Sequence, residues 1–355
     1  MILSLVSLAA LLMSPVQAGD RIGNGGDAVV CTDGTPVRLL DFHEAKRRGI
    51  SVEMGSAVLS VSEKVGLALD RLSRIDPSRA SKFRKSAIPM LEDIAAFEKN
   101  PSHPTTQIRF TDDVLSDVDD SEETALPPGC EKRQLVIRVR AVFPEDRPFE
   151  FYRPLWIQMD SEQKALTVLH ELWYGETLED GANDSRLARY MNGLVASPSF
   201  ESLRFSEYVS LLRLARDRFQ TVIPYYRTVC GLGLSLSFSG IGLVSEDVRD
   251  SFGRRIQSGG VDLLPHSVSF DEGAEITGLT GRLATPVGRQ LAVRSTQIHF
   301  KKPRADFYPE FTLDSACAIR SLDPANVIDV KVDGQTGRKN PAKIEWDETG
   351  RYIGE

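Results

Sequence analysis

Apolar residues recur with helical spacing through the first two-thirds of this chain and alternate with polar ones through the last third. Ser60-Val61-Ser62-Glu63 has the spacing of a capping box, and Val65, Leu69 and Leu72 then fall on one helical face. Asp76-Pro77 pairs an N-cap with a proline at the first helical position, and Phe83, Ile88, Leu91, Ile94 and Phe97 supply the stripe that follows, with a kink expected at Pro89. Asp160 reads as the cap of a helix from Ser161 to Asp180 that Gly181 ends. A second helix is expected from Asp184, with Arg186, Arg189 and Asn192 at helical spacing, and a third from Ser206 to Phe219. Short strands are expected at residues 27–31, 106–110 and 134–142.

Near Pro224 the period changes to two. Leu232, Leu234, Leu236 and Phe238 alternate with small residues until Gly240 breaks the phase, which marks a bulge or turn. Turn signals such as Ser258-Gly259-Gly260, Asp271-Glu272-Gly273 and Asp333-Gly334 punctuate the rest. The pattern predicts an α+β protein of two domains. Residues 19–225 form a mixed α/β domain, and residues 226–355 an antiparallel β-rich domain, a sandwich or partial barrel.

The first residues change the picture of compartment. Ile2 to Met13 is an apolar run, and Val16-Gln17-Ala18 ends in a small-x-small pattern, so residues 1–18 read as a secretory signal peptide and the mature protein as periplasmic or secreted. The run is too short to span a bilayer and no later stretch is apolar enough, so no transmembrane anchor is expected after cleavage. In an oxidising compartment the four cysteines predict two disulfides, with Cys31–Cys130 and Cys230–Cys317 the simplest pairing. Each would close a long loop and contribute about 4 to 5 kcal/mol in the chain-entropy model. The net charge of −7, with no basic stripe, argues against a nucleic-acid partner. The mature start is rich in glycine but precedes a strand, which is the wrong order for a phosphate-binding loop.

Candidate chemistry concentrates at His170-Glu171, two titratable residues inside the apolar run Ala165-Leu166-Thr167-Val168-Leu169-His170-Glu171-Leu172-Trp173-Tyr174. As catalytic residues they would be half of a zincin helix. That motif needs a second histidine at i+4, where this chain has Tyr174, so zinc enters only under this alternative and no metal or other cofactor is expected otherwise. As structural residues they point in directions about 100° apart, and Glu171 is expected to pair with Arg186 or Arg189 on the next helix. His43-Glu44 reads as a solvated helix face, and the acidic run from Asp112 to Glu123 as a solvated loop. No GxSxG elbow and no CxxC metal spacing occurs.

Two blocks carry a resemblance. Gly23-Asn24-Gly25-Gly26-Asp27-Ala28-Val29-Val30-Cys31 with Leu39-Leu40-Asp41, and later His170-Glu171 with Ser185-Arg186-Leu187-Ala188-Arg189, resemble a group of uncharacterised exported proteins of predatory Gram-negative bacteria. His43, where a Tyr is expected, is a departure. The resemblance spans the N-terminal two-thirds and implies a periplasmic or secreted protein, with no activity attached. The expected function is a non-catalytic binding or structural module of the envelope or extracellular space, whose ligand the sequence does not identify. The competing class is a hydrolase of peptide or envelope polymer acting through His170 and Glu171.

Overall fold

The computed structural model describes residues 21–116, 118, 120, 125–139, 146–179, 182, 184–219, 225–229, 232–237, 240–243, 256–258, 260–270, 276–284, 290–293, 296–300, 309–323, 327–332, 335–339, 344–347, 349 and 351–353. The expected signal peptide and Cys230 lie outside the described residues. In chain order the elements are β1 (Arg21–Asn24), β2 (Asp27–Cys31), β3 (Arg38–Leu39), α1 (Leu40–Arg47), α2 (Val61–Ile75), α3 (Pro77–Lys99), β4 (Ile108–Thr111), β5 (Cys130–Gln134), β6 (Val136–Val139), β7 (Phe149–Tyr152), α4 (Arg153–Trp156), α5 (Ser161–Glu179), α6 (Arg186–Val195) and α7 (Phe205–Phe219). Strands then follow: β8 (Tyr225–Val229), β9 (Leu232–Ser237), β10 (Gly240–Leu243), β11 (Ile256–Ser258), β12 (Val261–Phe270), β13 (Ile276–Leu283), β14 (Gln290–Val293), β15 (Thr296–Phe300), β16 (Glu310–Asp314), β17 (Ile319–Leu322), β18 (Val327–Val332), β19 (Gln335–Lys339) and β20 (Ile344–Glu345). The class is α+β. Among the described residues no helix is long and apolar enough to cross a membrane.

The chain divides into two compact units, one holding the described residues of Met1–Arg71 and Phe83–Phe200, the other those of Leu72–Lys82 and Glu201–Glu355. The first unit contains two small sheets, one in the order β1-β6-β7-β4 and one in the order β3-β2-β5. They share a corner. The β1–β2 segment and the β5–β6 segment run side by side, and both change sheet at the same place, Gly25–Gly26 opposite Leu135. There the Gly26 carbonyl accepts the N–H groups of both Leu135 and Val136, each at 3.1 Å, while the register stays the same on the two sides, Asn24 opposite Ile137 and Asp27 opposite Gln134. Gly26 sits at φ +122°, a backbone conformation that a side chain would strain. The corner also explains why the strand expected over 134–142 is divided: Leu135 stands between β5 and β6, which belong to different sheets.

Helix α5 runs through the core of this unit. Gln163, Ala165 to Tyr174, Glu176 and Thr177 are all buried, so the helix is covered all round and its apolar residues need no single stripe. Asp160 caps it as expected, accepting the Gln163 N–H at 2.9 Å. Trp173 packs edge-on to Phe83 of α3, with ring centroids 5.0 Å apart. The capping box forms at α2: the Ser60 N–H donates to Glu63 Oε2 at 2.7 Å and the Glu63 N–H to Ser60 Oγ at 3.3 Å. Strand β4 begins at Ile108, two residues later than its pattern predicts, because the N–H groups of Thr106, Gln107 and Ile108 all converge on the Asp93 carboxylate. A disulfide joins Cys31 to Cys130, directly opposite each other on β2 and β5. Cys317 is also disulfide-bonded.

The second unit is mainly antiparallel sheet: one of three strands (β10-β9-β8), one of six (β11-β12-β13-β16-β17-β20) and one of four (β14-β15-β18-β19). Several turn signals fall where the chain reverses. Ser237 pairs with Gly240, Ser258 with Val261 and Val332 with Gln335. Alternation is visible in β16, where Phe311 and Leu313 are buried and Glu310 and Thr312 exposed. Buried Arg79 donates to Asp76 Oδ2 at 2.7 Å and contacts the Tyr208 hydroxyl, so the charge expected at the start of α3 is neutralised inside this unit.

Candidate functional site

Four separated stretches of sequence meet around α5: Gly25–Gly26, Asp41 and Glu44 of α1, His170–Glu171, and Ser185 to Asn192 at the start of α6. His170 and Glu171 are both fully buried, as is Asp41. Neighbours in a helix diverge, and here they reach different elements. The His170 Nδ1–H faces Asp41 Oδ2 at 2.8 Å, and Asn192 Nδ2 donates to the same oxygen at 2.6 Å and to the Leu166 carbonyl at 2.9 Å. One carboxylate oxygen therefore ties α1 to both α5 and α6. The other ring nitrogen, Nε2, is aimed at Gly26: a Cβ built there would stand 3.8 Å from it.

Glu171 points to the corner of the sheets. A Cβ on Gly25 would lie 2.7 Å from its Oε1 and 2.9 Å from Val136 Cγ1, so only glycine lets the strand pass over the carboxyl group. Its cation is Arg138 of β6, whose Nε stands 3.6 Å from Oε2, beyond hydrogen-bond reach. The guanidinium donates instead to the backbone carbonyl of Glu171, from Nη2 at 2.9 Å, lies over the Phe149 ring, and fits because residue 175 is a glycine. Among the described residues neither carboxylate oxygen of Glu171 has a hydrogen-bond partner.

The expected pairing of Glu171 with Arg186 or Arg189 is therefore corrected. Arg186 pairs with Asp184 at 2.8 Å. Arg189 Nε donates to Glu44 Oε2 at 3.2 Å, and its Nη1 to Ser185 Oγ at 2.6 Å and to Asp120. The physical reason is the face each residue occupies. Arg189 and Asn192 share the side of α6 that meets α1, whereas Glu171 is turned to the sheet corner, where β6 supplies the nearest cation. Two further expectations change with it. Glu44 is buried and accepts from both Arg48 and Arg189, so the His43-Glu44 face is not wholly solvated. Asp120, inside the acidic run, is buried against α6 and accepts the Ser185 N–H at 3.1 Å and the Ser185 hydroxyl at 2.5 Å. Asp117, Asp119, Glu122 and Glu123 lie outside the described residues.

Charge follows geometry. Burial alone would raise the Asp41 carboxyl, but the His170 charge, its hydrogen bond and that of Asn192 outweigh it and hold Asp41 below its ordinary value. Burial would lower His170, yet the charge and hydrogen bond of Asp41 carry it upward. Burial dominates at Glu171 and pushes it up to about 7, against the pull of Arg138 and His170. The result is a buried ion pair, Asp41–His170, beside a carboxyl group that resists ionisation.

As a zincin the arrangement is incomplete. His170 Nδ1 is engaged by Asp41, the i+4 position presents the Tyr174 ring 5.8 Å from the imidazole, and among the described residues no three His, Cys, Asp or Glu side chains group as metal ligands would. Comparison with protein-family models, with curated proteins and with solved structures finds no match to this chain.

Proposed function

We propose that this is an exported, non-catalytic module of the envelope or extracellular space, and that Asp41, His170 and Glu171 fasten its helical core. One observation supports the reading above the others. The imidazole and the carboxylate diverge from α5 to separate partners, and neither side chain reaches solvent. A hydrolytic pair needs the opposite: convergence on a point that substrate and water can enter. Export is supported by the apolar start with its small-x-small end and by a disulfide in the unit that follows it. The ligand of such a module is an envelope or extracellular component whose chemistry the site does not specify.

Metal content tests the reading. Native mass spectrometry of the mature protein, equilibrated with equimolar zinc, is expected to give the metal-free mass for wild type and for His170→Ala. One zinc per chain, lost in His170→Ala, would overturn it in favour of a metallohydrolase.

A further inference from the structure

Among the described residues, one member of the fastener has neither side-chain oxygen hydrogen-bonded. Asp41 and His170 each keep one hydrogen-bonded atom, Oδ2 and Nδ1, and one without a partner, whereas Glu171 is fully buried with no hydrogen bond to either oxygen. The backbone that stands against it is Gly25, which continues directly from β1, and β1 is an edge strand. Among the described residues it pairs with β6 alone, and its register shifts between Arg21 and Gly23. Downstream the chain is anchored. The Gly26 carbonyl accepts from Leu135, Val136 and Gln134, and the Cys31–Cys130 bridge holds β2 on β5. A hinge at Gly26 therefore separates a loosely held strap from a fixed strand.

We infer that β1 and Gly25 form a proton-linked strap, seated on α5 while Glu171 is protonated and lifting at the Gly26 hinge when Glu171 ionises. This deepens the fastener reading and rests on it. A neutral carboxyl group tolerates burial without partners far better than a carboxylate does, and the shortest way for the ionised group to gain water is displacement of the strand above it. The charges that face it are of both signs. On α5 it has His170, held as a cation by Asp41 of α1, and the Tyr174 hydroxyl. From β6 comes Arg138, which is engaged by the backbone carbonyl. Glu44 and Asp120 are balanced by Arg189 together with Arg48, which pairs with Glu44, Asp184 pairs with Arg186, and Asp27 at the foot of the hinge lies 3.5 Å from Lys132. Arg138 and His170 favour the ionised form while burial and Asp41 disfavour it. As pH rises His170 loses its charge, a Glu171 carboxylate left buried then keeps only Arg138 of these two cations, and both titrations therefore favour lifting of the strap. The shift of Glu171 toward neutrality agrees with this geometry.

Amide hydrogen exchange of the full mature chain reads the strap directly. With intrinsic rates corrected, protection of residues 21–27 is expected to fall about tenfold between roughly pH 5.5 and pH 8, while residues 61–71 of α2 hold theirs. In Glu171→Gln, a neutral isostere, the dependence on pH should vanish. Equal protection of the strap at both pH values in wild type, or a dependence that persists in Glu171→Gln, would overturn the inference. If that variant does not fold, a carbon-13 titration of the Glu171 carboxyl in wild type is set beside the exchange profile: loss of strap protection that follows the carboxyl midpoint supports the strap, and a loss that does not follow it overturns the inference. A strap insensitive to pH in a metal-free protein leaves the fastener reading intact. A zinc-loaded protein removes both.

Discussion

At Glu171 a buried carboxyl group carries a large part of how this fold responds to pH. Its folded value of about 7 stands above the ordinary 4.5, so the native state holds the proton more tightly than the unfolded chain does. Stability is therefore undiminished below about pH 4.5 and is lost as pH rises toward 7. His170 has the same sign. Its raised value contributes stability that is full below its ordinary 6.5 and disappears as pH climbs through the folded value. Asp41 acts oppositely: its contribution is present above 3.8 and is lost as acid protonates it in the folded state. The first unit should be most stable in mild acid, and a urea titration at about pH 8 should give a free energy lower by on the order of 2–3 kcal/mol than one at about pH 5.5. Glu171→Gln should remove most of that difference. A wild-type profile rising from pH 5.5 to 8 would contradict this assignment.

Among the elements, α6 shows how a local cap and a buried ion pair are made by the same residue. Asp120 accepts the N–H and hydroxyl of Ser185, the residue that opens α6, and also meets Arg189 one turn on. A carboxylate at a helix start satisfies orphan N–H groups and suits the helix dipole. Asp120→Ala should cost about 3–5 kcal/mol, because it leaves Arg189 with only part of its partners, and it should speed amide exchange over the first turn of α6. A loss below about 1 kcal/mol would mean that Asp120 is merely a surface cap. Much at this scale was legible in the sequence. The capping box at Ser60, the N-cap at Asp160 and the hairpins at Ser258 and Val332 rest on local hydrogen bonding, which short motifs encode. The change of sheet at Leu135 was not, because it depends on Gly26, more than a hundred positions away.

Across the whole molecule the α+β division and the central place of α5 follow from periodicity and burial, while the wiring of the site does not. The rule that singled out His170 and Glu171, a titratable residue inside an apolar run, applies equally to Asp41 in Leu39-Leu40-Asp41-Phe42, and would have found their partner. Asn192 stood one turn from Arg189 and shares its face. Arg138 was hidden because a strand residue 33 positions before Glu171 gives no spacing signal toward a helix, and the nearer arginines of α6 fit the local pattern better. What the molecule does depends on whether these groups hold it together. A double-mutant cycle of Asp41→Ala and His170→Ala, read by urea unfolding on the fluorescence of Trp156 and Trp173, measures that. Each single change is predicted to cost about 3–5 kcal/mol, with the double change costing less than their sum by about 1–3 kcal/mol. Single variants as stable as wild type, with additive effects, would contradict the account.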